Sequence, residues 1–361
     1  MGSRKNVVHV VGTGTIGEPL IGLFAEKKKD LSIDEVTFHK RTPTPLDRPK
    51  ISALINRGAR LCVDQDQWDE FQKIGYKPSY TREEALERAT VVIDCTPQGT
   101  GHQNKTDFYN NYKHNTLGFL AQGSEFGFGK MYARGINDEA LQRDHDQFLH
   151  VVSCNTHSLA ILIKALGQNP VSKKMDDIEE AKFLLMRRAN DVSQSKDFNP
   201  APYLGKHDDK EFGTHHARDV HHLFKTLGVN IKTYSSSVKI PTQYMHTLWF
   251  DIKLKRKTNL EEVRNRFIEN PLVAVTERRA ANEVFSFGRD HGYYGRILNQ
   301  IVISLPTVEV MNDGHEVVGF ALTPQDGNSL LSTIAATLWY LYPEDWQSKL
   351  SLFDRYIFKE V

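Results

Sequence analysis

A short β-branched run, Val7, Val8, Val10 and Val11, leads directly into Gly12-Thr13-Gly14-Thr15-Ile16-Gly17, and then into Pro19, Leu20, Ile21, Leu23 and Phe24 at helical spacing. Strand, glycine turn and helix in this order restrict the N-terminal part of the chain to a parallel α/β sheet whose first crossover binds a ligand. Gly12 serves the tight turn, Gly14 lets backbone approach a pyrophosphate, and Gly17 lets the helix lie close to the strand. The phosphate then sits at the helix N-terminus, beside Thr15 and Ile16. A lone G-x-G-x-x-G is a weak signal; its place between a strand and a helix is the context a dinucleotide site requires.

A second strand, Glu35 to Phe38, ends in His39-Lys40-Arg41-Thr42. No carboxylate stands there for a ribose 2′-hydroxyl, whereas Lys40, Arg41 and Thr42 suit a 2′-phosphate. NADP is therefore favoured over NAD, with NAD still usable, the alternative being a solvated basic turn. A later strand, Val91 to Ile93, runs into Asp94-Cys95-Thr96-Pro97-Gln98-Gly99-Thr100-Gly101. It ends at the face where open α/β sheets bind ligands, which makes Thr96, Pro97 and Gly99 further cofactor candidates; the alternative is a plain glycine-rich loop.

Ser153-Cys154-Asn155-Thr156 follows the apolar run Phe148, Leu149, Val151 and Val152 and precedes an apolar helical pattern. A thiol at a helix N-terminus faces unpaired N–H groups, which are expected to lower its pKa and favour the nucleophilic form. The bland alternative is a buried structural cysteine.

Composition bounds the reading. The 361 residues suffice for two domains, and the net charge of +1 gives no electrostatic case for nucleic acid. No apolar run has the length of a membrane span and the N-terminus has no secretory pattern, so the expectation is a cytoplasmic protein. The three cysteines, Cys62, Cys95 and Cys154, are too few and scattered for a disulfide framework or a zinc site. His215, His216, His221 and His222 are close in sequence, but no carboxylate or cysteine completes a familiar metal spacing, so no metal is expected.

Up to about residue 153 short strands alternate with helices, including Arg82 to Glu87. Beyond it come strand-like runs at 181–186, 231–234, 248–254 and 301–310, with a helical segment at 260–268 and an apolar C-terminal helix at 330–341. The expected fold is α/β: residues 1–153 a Rossmann dinucleotide-binding domain, and 154–327 an α+β catalytic domain with a mostly antiparallel sheet. The segment from Asn190 to Phe212 is long for a structureless loop, which favours a functional one.

Gly12 to Gly17, the strand end at Lys40 and Thr42, Asp94 to Gly101 with Asn104-Lys105, Gln122-Gly123-Ser124-Glu125 and Val152 to Thr156 occur in a telling order. They are followed by Met186-Arg187-Arg188-Ala189-Asn190-Asp191, His215-His216-Ala217-Arg218-Asp219-Val220 and Pro241-Thr242-Gln243-Tyr244-Met245-His246. In that order and spacing the chain resembles the archaeal-type (type II) glyceraldehyde-3-phosphate dehydrogenases. The resemblance implies a homotetramer of glycolysis and gluconeogenesis that uses a phosphorylated aldehyde, inorganic phosphate and a thioester on Cys154. It also implies that a C-terminal helix, about 328–361, returns to pack on the cofactor domain.

Among the chain's 15 histidines the resemblance selects His246 as general base. It brings Gln122 and Asn328 to the cofactor, and places Arg187 or Arg188, with Arg188 favoured, on substrate phosphate. Ser153, Asn155 and Thr156 belong to one anion site, and His215 and His216 are candidates for the other. The chain departs from the family at His157-Ser158, where the family has Thr-Gly, and at Ser124, where it has glycine. These departures support an alternative, a related acylating or semialdehyde dehydrogenase with another aldehyde. A non-catalytic dinucleotide sensor is the remaining alternative; such a module has no need of Cys154, His246 and the arginine pair together.

Overall fold

The computed structural model describes residues 5–169, 171–191, 195, 199–324 and 326–361. The chain divides into two units. Met1–Lys130, Gln142–Val151 and Ser332–Ser351 form the first, and Met131–Leu141, Val152–Leu331 and Leu352–Val361 the second.

The first unit is built on strands β1 (Val7–Val11), β2 (Glu35–His39), β3 (Arg60–Val63), β4 (Tyr80–Thr81), β5 (Val91–Asp94) and β6 (Gly118–Gly123), followed by β7 (Lys130–Tyr132) and β8 (Phe148–Val152). Their order in the sheet is β4-β3-β2-β1-β5-β6-β8-β7. β1 lies parallel to both β2 and β5, with Val8 opposite Val36 and Val91, and all five of its residues are buried. Burial on both faces is why its valines do not alternate with exposed polar residues, and the buried His9 among them pairs through Nδ1 with Thr37 Oγ1 at 2.7 Å. The crossovers carry helices α1 (Gly17–Lys27), α2 (Arg48–Asn56), α3 (Trp68–Lys73), α4 (Arg82–Arg88) and α5 (Thr100–Asp107). At the start of α4, Thr81 Oγ1 accepts from the Glu84 N–H while the Glu84 carboxylate accepts from the Thr81 N–H, so two orphan donors are satisfied reciprocally. This is the doubly wound arrangement expected from the sequence.

The second unit holds β9 (Ile178–Arg188), β10 (Tyr203–Leu204), β11 (Thr233–Ile240), β12 (His246–Leu254), β13 (Val273–Thr276), β14 (Ile301–Ser304), β15 (Glu309–Met311) and β16 (Glu316–Thr323). The order is β10-β11-β9-β12-β16-β14-β13, with β15 paired to β16. The sheet is mixed: β9·β11 and β13·β14 are parallel, while β9·β12, β12·β16, β14·β16, β15·β16 and β10·β11 are antiparallel. Helix α6 (Cys154–Gly167) packs on it with α7 (His215–Lys225) and α8 (Leu260–Glu269), and Leu159, Ile161, Leu162, Val220, Leu248, Phe250 and Val263 share one apolar cluster. Helix α9 (Ala281–His291) precedes β14.

Element ends differ from expectation where local chemistry intervenes. The strand expected over 301–310 is split into β14 and β15, because Pro306 lacks a ladder N–H and sits in a 3-10 turn, Leu305–Thr307. The C-terminal stretch is α10 (Gly327–Leu341) and α11 (Trp346–Leu350) rather than one helix, with Pro343 between them. Within the first unit, the Tyr340 ring of α10 fills the space over Gly118, where an added Cβ would lie 2.2 Å from it. Of the expected long loop 190–212, residues 192–194 and 196–198 lie outside the described residues, as does Gln325. Among the described residues no helix is long and apolar enough to cross a membrane.

The glycines of the first crossover are distinct in kind. Gly12 has φ +95°, and a Cβ on Gly17 would meet the Gly12 carbonyl oxygen at 2.1 Å, whereas a Cβ on Gly14 would meet nothing within 4 Å. Gly17→Ala is expected to destabilise the protein by roughly 1–3 kcal/mol through overpacking, while Gly14→Ala leaves thermal stability unchanged. Melting temperatures of the two variants without any nucleotide check this; equal losses would mean that both glycines are structural.

Candidate active site

In the second unit the chain leaves β8, turns at Ser153 and enters α6 at Cys154. Ser153 is the N-cap: its Oγ accepts from the Thr156 N–H at 3.3 Å and lies 2.9 Å from Thr156 Oγ1 and 3.3 Å from His216 Nδ1. The Cys154 carbonyl accepts from Asn328 Nδ2 at 2.9 Å and from Ser158 Oγ at 3.3 Å. Both donors also reach the Gln300 carbonyl, and Asn328 Oδ1 accepts from the Ser329 N–H. Asn328, a residue expected at the cofactor, thus fixes the backbone of Cys154. His157 Nδ1 pairs with the Ser153 carbonyl at 2.9 Å, so two of the three residues that depart from the family pattern, His157 and Ser158, turn to backbone carbonyls. Asn155 is buried, with Oδ1 accepting from Thr323 Oγ1.

The charges around the half-buried Cys154 come from three places. Arg187 and Arg188 end β9, Asp191 follows them, and Asp326 precedes α10. Arg188 is buried and donates through Nη2 to Asp191 Oδ1 at 2.6 Å and to Asp326 Oδ1 at 3.5 Å. Its backbone N–H donates to His246 Nδ1 at 3.0 Å, across the β9·β12 pair. With Nδ1 accepting, a neutral imidazole carries its proton on Nε2.

Burial holds His246 well below the usual histidine range, with the Arg188 and Arg187 cations acting the same way, so the ring is neutral at pH 7. Burial also pushes the Cys154 thiol up to about 11; Asp326 and Asp191 add to the rise, and Arg188 and Arg187 oppose it. The resting thiol is therefore protonated, against the expectation of a depressed pKa at a helix N-terminus.

Beside Ser153 lie His215 and His216 at the start of α7, their ring centroids 3.9 Å apart. Burial lowers His215 to about 4, helped by Arg187 and Arg218, and burial holds His216 well below the usual histidine range. His216 Nε2, Arg187 Nε and Arg188 Nε are buried and without a hydrogen-bond partner among the described residues. Buried donors are seldom left so, and an anion is the ligand that would satisfy them. Among the described residues no group of three or more histidine, cysteine or carboxylate side chains is arranged to hold a metal ion.

In the first unit the glycine loop joins β1 to α1. Lys50 of α2 donates to the Thr13 carbonyl at 3.1 Å and lies 3.4 Å from Glu18 Oε2, a placement with no signal in the sequence. Lys40 pairs with Asp47 at 2.7 Å, while Arg41 and Thr42 are exposed. After β5, Asp94 Oδ1 accepts from Thr96 N–H and Oγ–H, and its Oδ2 from Asn104 at 2.8 Å and Tyr109 at 2.5 Å. Pro97 and Gly99 are exposed; Gly99 has φ +85° and donates its N–H to buried Glu125, the last residue of the Gln122-Gly123-Ser124-Glu125 motif. Gln122 is buried and donates to Thr333 Oγ1 at 2.8 Å.

Asp219 of α7 has no side-chain exposure; Oδ1 accepts from Arg218 and Oδ2 has no partner among the described residues. Burial raises its carboxyl from 3.8 to about 6, with Arg218 opposing. A carboxyl raised by folding costs stability as pH climbs from the unfolded to the folded value, and the cost is complete above about 6. Asp219→Asn is therefore expected to be more stable than the parent at pH 8, by roughly 2–3 kcal/mol, with the gap closing toward pH 4.5. Denaturant unfolding at the two pH values measures it, and a pH-independent difference contradicts the assignment.

No family model matches the chain. Curated relatives do. A glyceraldehyde-3-phosphate dehydrogenase of Pyrobaculum islandicum is 24% identical over 294 residues, covering 79% of this chain and 78% of its own length. Glyceraldehyde-3-phosphate dehydrogenase 1 of Methanosarcina barkeri is 28% identical over 296 residues, with 79% and 78% covered. A glyceraldehyde-3-phosphate dehydrogenase of Saccharolobus islandicus is 27% identical over 289 residues, 78% of each chain. With a Rossmann-like sheet in one unit and a mixed sheet in the other, the chain is similar, at 24–28% identity, to glyceraldehyde-3-phosphate dehydrogenases of archaea.

Proposed function

We propose that the chain is a phosphorylating glyceraldehyde-3-phosphate dehydrogenase. It oxidises glyceraldehyde 3-phosphate with a nicotinamide dinucleotide and inorganic phosphate to 1,3-bisphosphoglycerate. The observation that carries this reading is the gathering, in one unit, of Cys154, neutral His246 and the unsatisfied buried Nε donors of Arg187 and Arg188, with the unpartnered His216 Nε2 in the same unit. Relatives bearing that name point the same way.

The open space at Gly14, before the N-terminus of α1, fits a pyrophosphate, with Gly12, Thr15, Ile16 and Gly17 around it and Lys50 adding a cation. Lys40, Arg41 and Thr42 favour NADP, and Thr96, Pro97, Gly99 and Gln122 complete the cofactor side. When bound, the nicotinamide supplies the hydride acceptor.

Catalysis begins when the Cys154 proton leaves to water and the sulfur adds to the aldehyde carbon. The aldehyde oxygen gains charge and takes a hydrogen bond from His246 Nε2–H, the donor that the Arg188 N–H bond leaves on the ring. His246 thus begins as a donor to the oxyanion, and the general-base role expected of it requires Nδ1 to be released first. Loss of hydride from the tetrahedral carbon re-forms the C=O bond and leaves a thioester. A phosphate oxygen attacks that carbon, the C–S bond breaks, and the acyl phosphate departs. Arg187, Arg188, His215 and His216, with Ser153, Asn155 and Thr156, hold the two anions.

Spectrophotometry with glyceraldehyde 3-phosphate and NADP tests the reading. Turnover should require phosphate or arsenate, and Cys154→Ala should abolish it while leaving nucleotide affinity near the parent value. Sustained turnover without phosphate would indicate another acyl acceptor, and activity in the alanine variant would remove Cys154 from the chemistry.

Cofactor choice is a separate matter. NADP should bind more tightly than NAD, and Lys40→Asp should narrow or invert the preference by removing a charge-assisted contact worth roughly 1.5–3 kcal/mol. Titration of both nucleotides decides it; tighter NAD binding by the parent protein means that Lys40 serves Asp47 alone.

A further inference from the structure

Asp326 is a buried charge that the chemistry above does not use. It adopts φ +56°, a left-handed conformation uncommon outside glycine, asparagine and aspartate. Its carbonyl accepts from the Leu330 N–H, so it stands at the N-cap of α10. An aspartate there ordinarily caps the helix with its carboxylate. Here Oδ1 instead faces Arg188 Nη2 at 3.5 Å, and Oδ2 lies 4.0 Å from Arg296 Nε with no hydrogen bond of its own among the described residues.

The position is over-determined. A Cβ on Gly327 would lie 1.7 Å from the Ile297 carbonyl oxygen, so the turn carrying Asp326 is pressed against the backbone next to Arg296. One residue further, Asn328 is bonded to the Cys154 carbonyl. The carboxylate is thereby fixed near the thiol from two sides, and such conformational cost persists only where surrounding structure enforces it.

We propose that Asp326 is a positioning residue of the Cys154 centre: its carboxylate holds Arg188 and Arg296 in place and keeps a negative charge beside the thiol that disfavours the thiolate. The inference deepens the dehydrogenase reading by assigning control of the same nucleophile. The groups facing the thiol are Arg187 and Arg188 from β9, Asp191 after it and Asp326 before α10; His246 of β12 reaches it through Arg188, and His216 of α7 through Ser153. Of the charges, Asp326 weighs most in raising the thiol, and Arg188 most in lowering it. Removing the carboxylate deletes a like charge and leaves Arg188 less neutralised. Both changes favour the thiolate.

The test is the pH dependence of Cys154 alkylation by iodoacetamide in the intact protein, followed by peptide mass spectrometry, without aldehyde or nucleotide. In Asp326→Asn the half-maximal rate should move down by about one pH unit, and at pH 8 the rate should rise about tenfold. Oxidation of Cys154 by dilute hydrogen peroxide should accelerate in parallel. Asp326→Gly, which accommodates the positive φ, guards against misfolding of the first variant and should shift the same way. An unchanged profile in whichever variant folds overturns the proposal and leaves Asp326 a structural ion pair. Because no substrate is used, that failure is distinct from a failure of the dehydrogenase assay.

Discussion

The buried guanidinium of Arg188 is the interaction on which the rest of the second unit's site depends. Its side chain bridges Asp191 and Asp326, its backbone N–H sets the His246 tautomer, and its charge opposes the rise in the Cys154 pKa. Removing one partner of such a buried pair costs about 3–5 kcal/mol, because the remaining charge is uncompensated. A group so embedded cannot shift without moving the imidazole, the carboxylates and the field at sulfur together.

Two opposing effects act on the thiol, and their sizes decide its resting state. A helix N-terminus contributes about 0.3–1 kcal/mol, reaching about 2 in buried settings, while withdrawal from water can raise a thiol by several pH units, each worth about 1.4 kcal/mol. Desolvation prevails at Cys154, and Asp326 reinforces it. The nucleophile thus rests in its protonated form, and the Arg188 and Arg187 cations are the groups that oppose this.

Much of the fold was legible because local rules suffice for it. The β1 run, the glycine turn and α1 follow from burial on both faces of a parallel strand and from the closeness demanded at Gly17. The capping pair at Thr81 and Glu84 and the helix start at Ser153-Cys154 obey short-range hydrogen bonding in the same way. The 301–310 run, by contrast, reads in sequence as one strand, a reading that misses Pro306, which has no ladder N–H and splits it.

The order of strands and helices and the cysteine at a helix start were readable from the chain alone, since these depend on neighbours in the sequence, whereas the arginines and histidines of the site were named only through the family resemblance. Tertiary structure decided what those groups do. Lys50 reaches the glycine loop across 37 residues, Asn328 reaches the Cys154 carbonyl across 174, and Asp326 meets Arg188 across 138. No local pattern encodes such pairings, because they arise only when separate elements of a sheet and its helices close on one another. The charge state of Cys154 is of this kind too: it depends on how much water and which charges the folded surroundings leave beside the sulfur.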